Sequence, residues 1–169
     1  NRLVFDGRSP INCYDFSKED IEESKLVVIN CVSKMYAMTG FRIGWAVANK
    51  EVATAMATIQ GQQTSGPAAP SQWAAVGALN GLQHSIESLR MTLENNRNVM
   101  VERLRSFAGV KVTPPDGTFY CLPDFHAYSQ NSIELAHFLL KKALVVTVPG
   151  KEFGMEGYLR LSYSGQAKS

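Results

Sequence analysis

The chain has 169 residues, of which 45% are apolar and 19% charged, and its formal net charge at pH 7 is +2. This length and composition predict a globular protein that can bury a hydrophobic core. So small a net charge, without a basic run, argues against a nucleic-acid-binding module or an anionic membrane surface as partner, and no apolar stretch reaches the roughly 20 residues of a membrane helix.

The three cysteines, Cys13, Cys31 and Cys121, are odd in number and far apart. They predict neither a disulfide framework nor a zinc site, so we expect no metal, and reduced thiols in a cytoplasmic protein fit better. Cys31 and Cys121 lie in apolar runs, which favours small core residues. The first residues, Asn1 to Asp6, lack the pattern of a signal peptide. Without an initiating Met, they fit a sequence that begins partway along a longer chain.

The first half of the chain predicts two strands and two helices, because β-branched runs alternate with helix caps and Gly/Pro breaks. In chain order we expect an extended end at 2–5 closed by a turn at 6–7, a buried strand at 25–30, a strand at 43–48, a helix at 50–61 capped by Asn49, a break at 62–70, and a helix at 71–82.

The second half begins with the longest periodic segment. From Leu82 to Phe107, apolar residues recur at steps of three and four and predict a long helix with a narrow apolar stripe, which Asn96 and Arg97 interrupt. The stripe is too short for a coiled coil, so packing within the protein is expected. Beyond it we predict an α+β arrangement, with a subdomain boundary in or near the long helix. Its elements are strands at 110–112, 118–122, 144–148 and 158–163 and a helix at 132–142 capped by Ser132.

Lys34 follows the predicted buried strand and lies among apolar and aromatic neighbours. An amine that is partly withdrawn from water has a lowered pKa, because desolvation disfavours its charged form. A neutral amine can attack an aldehyde, so Lys34 is a candidate for forming a Schiff base. The alternative is a solvated loop lysine.

Two arginines are candidate anion ligands. Arg42 follows Gly40, which permits close backbone approach, and its planar guanidinium suits a phosphate. Arg160 alternates with Leu159 and Leu161 along a predicted strand, and a carboxylate is the natural bidentate partner of such a side chain. The alternative for Arg42 is that it is a surface or ion-paired residue. The alternative for Arg160 is a position on the solvated face of the strand.

Residues 30–45 read Asn-Cys-Val-Ser-Lys-Met-Tyr-Ala-Met-Thr-Gly-Phe-Arg-Ile-Gly-Trp. This segment resembles the pyridoxal-lysine signature of class I aminotransferases: Ser-Lys, an aromatic residue, Ala-Met-Thr-Gly, an aromatic residue, Arg, an aliphatic residue, Gly and an aromatic residue. Three further segments resemble the same family in the same order. They are residues 59–66, similar to the aspartate and prephenate aminotransferase branch, residues 116–125, similar to a hairpin of the small domain, and residues 148–163, similar to the stretch that ends in the substrate-carboxylate arginine.

The resemblance implies a role for each matching residue. Lys34 would hold pyridoxal 5'-phosphate as a Schiff base and move the substrate proton, while Arg42 would bind the cofactor phosphate and Arg160 the substrate α-carboxylate. Ser33 would add a phosphate or structural hydrogen bond. Cys31 stands where relatives often carry Gly or Ser, which puts a hydroxyl contact to the phosphate from that position in doubt.

The resemblance also implies the fold and the organisation of the chain. The expected fold class is α/β, with residues 1–85 forming the end of a fold type I large domain that binds the cofactor. Residues 86–169 would form the connecting helix and an α+β C-terminal small domain, incomplete at its end. The chain is thus expected to be the C-terminal half of an enzyme that needs its N-terminal half for a complete site, and to transaminate little or not at all alone.

The implied reaction transfers an amino group from an L-amino acid to a 2-oxo acid. The expectation that the amino acid resembles aspartate rests on residues 59–66 alone. A homodimer in the cytoplasm is the corresponding expectation. A lyase or synthase of the same fold and cofactor is an alternative. A further alternative, from a different class, is a catalytically silent chain that acts by association with other chains.

Overall fold

The structure, a computed structural model, describes residues 2–165. The chain forms two compact units. The first consists of Arg8–Glu87 together with the residues before Val4, and the second consists of Val4–Gly7 together with the chain from Ser88 onwards. Val4–Gly7, near the start of the sequence, therefore belongs to the second unit, which the second half of the sequence otherwise forms.

The first unit contains an antiparallel hairpin followed by two helices. In the hairpin, Cys31 lies opposite Gly44. Gly44 is needed there, because a Cβ on it would lie 2.9 Å from the carbonyl oxygen of Asn30. The elements are β1 (Val28–Cys31), β2 (Gly44–Val47), α1 (Lys50–Thr64) and α2 (Ala69–Asn80), with short 3₁₀ helices at Cys13–Phe16 and Thr39–Phe41.

The predicted start of the first helix is confirmed. The side chain of Asn49 accepts a hydrogen bond of 2.9 Å from the backbone N–H of Val52, which satisfies one of the donors that a helix leaves unpaired at its start. The helix runs past the predicted end at residue 61 and stops at Ser65, whose φ of 59° is left-handed. The predicted break therefore lies at its C-terminal end.

The core of the first unit joins the hairpin to α2. Val32, Ile43 and Ala75 are buried against one another, and the side chains of Tyr36, Met38 and Trp45 pack on this cluster. Both ends of the loop that connects β1 to β2 are thereby anchored.

The prediction of a buried strand at residues 25–30 is wrong for this chain. The strand exists as β1, but the side chain of Ile29 is 75% exposed. Within the described residues of this unit, β1 has one hydrogen-bonded neighbour, β2, and no layer covers the face that carries Ile29.

The second unit combines two helices with a three-stranded antiparallel sheet in the order β3-β5-β4. Strand β4 is shorter than the predicted strand at 144–148, because Leu144 takes a left-handed conformation (φ 55°) that ends the preceding helix. The elements are α3 (His84–Arg105), which enters this unit at Ser88, β3 (Tyr120–Cys121), α4 (Ser132–Ala143), β4 (Val148–Pro149), a 3₁₀ helix at Gly150–Phe153 and β5 (Leu159–Ser162).

Two local predictions in this unit change. The N-terminal cap of α4 is Asn131 and not the predicted Ser132. The side chain of Asn131 accepts a hydrogen bond of 3.1 Å from the N–H of Glu134. Ser132 is fully buried and donates its N–H to the Glu156 carboxylate at 3.0 Å. The predicted strand at 110–112 is a single bridge between Lys111 and Asp124.

Val4–Gly7 joins this unit as the extended end and turn that the sequence predicts. Val4 bridges Gly117, and Asp6 and Gly7 form the turn with positive φ values of 57° and 67°. Phe5 is fully buried. The core is otherwise built from residues of α3, α4, the sheet and their connections: Leu93, Val101, Leu104, Val110, Cys121, Ala136, Leu159 and Tyr163.

Candidate active site

The loop between β1 and β2 carries three of the four residues that the sequence singles out. Its ends are closed by the pairing of Cys31 with Gly44 and by a hydrogen bond of 3.3 Å from the N–H of Val32 to the carbonyl oxygen of Ile43. Because Val32 and Ile43 are buried, the loop is fixed at its base, and the side chains of Tyr36 and Met38 within it pack on the same cluster.

Lys34 lies in the first turn of this loop. The N–H of Tyr36 donates to the carbonyl oxygen of Val32, and the N–H of Ala37 donates to that of Lys34, both at 3.2 Å. Of the two interpretations of Lys34, an amine partly withdrawn from water and a solvated loop lysine, the second describes this chain, because the residue is exposed. The apolar neighbours in the sequence, Val32 and Tyr36, point into the core of the unit and do not cover the lysine.

The corner of the loop next to Lys34 stabilises negative charge. Hydrogen bonds from the hydroxyl and then the backbone N–H of Ser33 lower the pKa of the Cys31 thiol, with smaller contributions from the N–H and the charge of Lys34. Partial burial opposes them and raises that pKa. Cys31 is half-buried and not the core residue that its apolar surroundings predict. These donors form the kind of group that binds an anion.

Arg42 ends the 3₁₀ helix Thr39–Phe41 and is exposed. Its backbone is left-handed, with φ 54° and ψ 44°, a conformation that costs a non-glycine residue on the order of 1 kcal/mol. One guanidinium nitrogen donates to the carbonyl oxygen of Thr39 at 2.9 Å. Within residues 2–165 no carboxylate pairs with Arg42, so further donors remain for an external anion.

Arg160 belongs to the second unit and lies on β5, the middle strand of the sheet, opposite Val148 on β4. Leu159 is fully buried and Arg160 is half-buried, but Leu161 is half-buried as well, so burial follows the predicted alternation only at Leu159. The guanidinium carbon lies over two aromatic rings, 4.3 Å from the centroid of Tyr120 and 4.9 Å from that of Phe153. Across the part of the chain with described structure, no carboxylate pairs with it.

A cavity of about 530 Å³ opens beside Arg160. Its walls are mainly apolar and aromatic, which lowers the local polarity around one cation and strengthens that cation's attraction for an anion. The other lining residues are Thr113, Pro114, Pro115, Asp116, Tyr120, Cys121, Leu122 and Phe153.

The sequence reasoning did not single out Tyr120 and Phe153. Both lie in segments that match family patterns, but no spacing brings them near Arg160: Tyr120 precedes it on a different strand, and Phe153 ends a 3₁₀ helix. The pairing of Tyr120 with Ser162 brings the first ring beside β5. Knowledge that β3 pairs with β5 could have identified Tyr120, whereas Phe153 lies on no strand and is placed by its turn.

The residues of the loop and its corner, Ser33, Lys34 and Arg42, thus share one structural element, and their donors fit the phosphate and aldehyde groups of a pyridoxal cofactor. The whole of residues 2–169 also matches the family model described as aminotransferase class I and II. The chain belongs to the aminotransferase class I and II family.

Individual relatives agree with this assignment. An aspartate aminotransferase of Bacillus sp. (strain YM-2) is 36% identical in an alignment of length 168 that covers 96% of this chain and 42% of the relative. A probable aspartate/prephenate aminotransferase of Aquifex aeolicus (strain VF5) is 38% identical, over 80% of this chain and 36% of its own length. The crystal structure of the aspartate aminotransferase from Rhizobium meliloti superimposes with a TM-score of 0.89 at 31% identity, covering 98% of this chain and 43% of that one.

The fold of this aminotransferase-family chain is accordingly the α/β fold of the fold type I aminotransferases, in the part that corresponds to the C-terminal region of its relatives. Aspartate aminotransferases of the family depend on pyridoxal phosphate. The chain spans about two fifths of the length of these relatives. No helix in the described part, residues 2–165, is both long and apolar enough to cross a membrane.

Proposed function

We propose that this chain is the lysine-bearing part of a pyridoxal-phosphate-dependent aminotransferase, which transfers an amino group from an L-amino acid to a 2-oxo acid. The observation that carries the proposal is the loop between β1 and β2, along which Lys34 follows an anion-stabilising corner and precedes an arginine without a carboxylate partner in the described chain. Family membership over the matched length supports the same reaction.

In this proposal each residue has one task. Ser33 and Arg42 bind the cofactor phosphate, since hydroxyl, N–H and guanidinium donors are the usual partners of a phosphate. The amine of Lys34 would hold the cofactor through its aldehyde, with release of water, and as a free amine would take the proton from the substrate Cα. When bound, the cofactor supplies the electron sink that makes that proton acidic.

Arg160 binds the α-carboxylate of the substrate in two parallel hydrogen bonds. Holding the carboxylate orients the bond between Cα and its hydrogen, which is the positioning contribution to catalysis. The cavity of about 530 Å³ beside Arg160 has the size range of a small-molecule site.

The amino donor is the finer part of the proposal. Relatives named as aspartate and aspartate/prephenate aminotransferases support an acidic amino acid as donor and a 2-oxo acid as acceptor. A complete site requires more than this chain, because its relatives have more than twice its length. By the assembled enzyme we mean the gene product that contains this chain, or this chain co-expressed with the N-terminal region of the Bacillus sp. relative.

A specific observation favours a second candidate for the isolated chain, which is association without catalysis. Helix α1 has no buried residue, and Ile59 and Trp73 of the same unit are 58% and 75% exposed. Apolar surface of this kind marks a face that another polypeptide covers. In this second candidate another chain covers that surface without catalysis, whereas in the assembled enzyme we propose that a homodimer like those expected of the family covers it.

Borohydride reduction of the chain with pyridoxal phosphate, followed by peptide mapping, tests the lysine. Lys34 should carry the label, and the exposed Lys50 of the same unit is the internal control. The Lys34→Ala variant should lose the label, and Arg42→Gln should require more cofactor for the same labelling. Equal labelling of Lys34 and Lys50, unchanged by Arg42→Gln, would contradict the proposed cofactor site.

A further inference from the structure

The environment of the half-buried Arg160 differs from that of Arg97, a buried arginine in the same unit. Arg97 lies 4.9 Å from the ring centroid of Phe5 and also binds both carboxylate oxygens of Asp6. Arg160 lies over two rings and has no carboxylate partner among the described residues. An aromatic face attracts a cation through its quadrupole and does not occupy its N–H donors. The rings at Arg160 therefore hold the charge and leave the donors available.

The backbone positions both rings. Tyr120 sits on β3 opposite Ser162, and β3 is the direct neighbour of the strand that carries Arg160. Phe153 is the last residue of the 3₁₀ helix, whose first residue, Gly150, donates its N–H to the carbonyl oxygen of Tyr158 at 2.8 Å. The turn that presents Phe153 is thus tied to the residue that leads into β5.

The contribution comes from the ring of Tyr120 and not from its hydroxyl. In the described part of the chain that hydroxyl makes no hydrogen bond, whereas the ring centroid lies 4.3 Å from the guanidinium carbon. Among residues 2–165 no ion pair fixes the plane of the guanidinium, so contact with the two rings is what restricts its orientation there. A flexible arginine would lose this orientation with every rotation about its side-chain bonds.

We propose that Tyr120 and Phe153 are positioning residues that hold the Arg160 guanidinium in the orientation that receives the substrate α-carboxylate. The inference rests on the proposed function, since it assumes that Arg160 binds that carboxylate. It adds two residues that act through Arg160 and need not touch the substrate. It also specifies what they must be, because any flat aromatic ring of similar size should serve.

The test uses the assembled enzyme and two amines, L-aspartate and 3-aminopropanoate, which is aspartate without its α-carboxylate. If another amino acid reacts faster, it and its own decarboxylated amine replace this pair. The readout is the ratio of the two values of kcat/KM, followed by the absorbance change of the cofactor. Damage to the cofactor site or to folding lowers both rates alike, whereas loss of Arg160 orientation lowers the rate for the amino acid alone.

Tyr120→Leu and Phe153→Leu should each lower this ratio about two- to fivefold, the size of one cation–π contact at a partly exposed site. Tyr120→Phe and Phe153→Tyr, which keep the rings, should preserve it. Arg160→Gln is the reference variant. If Arg160→Gln leaves the ratio unchanged, the proposed function of Arg160 fails. If Arg160→Gln lowers it but neither Leu variant does, the positioning role alone is overturned.

Progressively fluorinated phenylalanines at position 153 keep the test decisive if a Leu variant does not fold. Fluorine withdraws charge from the ring face with little change of size, so each added fluorine should lower the ratio in steps. A ratio that does not change along the series would overturn the role of Phe153, because packing alone is nearly insensitive to this substitution.

Discussion

The guanidinium of Arg97 donates two hydrogen bonds to the carboxylate of Asp6, of 2.6 Å to one oxygen and 2.7 Å to the other. The side chain of Arg97 is 5% exposed and that of Asp6 50%. Hydrogen bonding to Asp6 raises the pKa of Arg97, so the guanidinium remains charged although it is buried. This pair binds the short segment Val4–Gly7 to the long helix α3.

Removal of the Asp6 charge should destabilise the second unit. In Asp6→Asn the backbone conformation is kept, because Asn also tolerates a positive φ, but the buried cation loses its counter-ion. We expect a loss of about 2 kcal/mol in the free energy of unfolding, below the full cost of breaking a buried pair because Asp6 is half exposed. Urea unfolding at neutral pH measures it.

Asp15→Asn is the matched control for this experiment, because Asp15 is exposed. Its effect should stay within about 0.5 kcal/mol. Equal effects of the two substitutions would mean that the ion pair between Arg97 and Asp6 adds nothing to stability.

Substitution of Gly150 should disrupt the turn that carries Phe153. A Cβ at Gly150 would lie 2.1 Å from the carbonyl oxygen of Met155 and 2.6 Å from that of Tyr158, and both atoms belong to the backbone. Gly150→Ala should therefore cost more than about 2 kcal/mol, as overpacking of a rigid site does. Thermal unfolding measures the loss. Gly61→Ala, where a Cβ meets nothing within 4 Å inside α1, should instead stabilise the chain by about 0.5 kcal/mol or more; the opposite order would refute the steric argument.

The thiols should differ in reactivity as their pKa values do. Ser33 lowers the pKa of Cys31, whereas burial raises the pKa of Cys121 to about 11. Since the thiolate is the nucleophile, iodoacetamide at pH 7.5 in the absence of cofactor should modify Cys31 before Cys121, as followed by peptide mass spectrometry. Ser33→Ala should slow the reaction of Cys31 and leave Cys121 unchanged. An unchanged rate at Cys31 would exclude the hydroxyl as the main cause.

Acid should remove the stabilisation that Asp124 provides. Hydrogen bonds from the backbone N–H of His126 (2.9 Å) and then from its ring lower the pKa of Asp124 below the ordinary value of 3.8. The folded state thus holds the proton less tightly than the unfolded state, so the stabilisation is complete above about pH 5 and disappears as pH falls through the folded pKa.

Comparison of the wild type with Asp124→Asn isolates this effect. The difference between their melting temperatures that is present at about pH 5 should shrink as pH falls below 3.8. Other carboxylates titrate equally in both proteins and cancel. A difference that does not vary with pH would show that the charge of Asp124 contributes no stability.

The sequence by itself determined the features that depend on residues close together in the chain. The cap at Asn49, the turn at Asp6–Gly7 and the long helix α3 follow from local hydrogen bonds and apolar periodicity. The family signature around Lys34 is equally local, so the assignment to aminotransferases needed no coordinates.

Only the tertiary structure decided the features that depend on partners far along the chain. In the sequence, Arg97 stands out because it interrupts the apolar stripe of α3. The reason why its charge is buried there is the pairing with Asp6, 91 residues away in the chain. The ring of Tyr120 lies beside Arg160 through the pairing of β3 with β5, and the ring of Phe153 through the 3₁₀ helix that follows β4. Burial is likewise a property of what covers a residue, so the exposure of Ile29 and Lys34 could not be predicted from their own neighbours in the sequence.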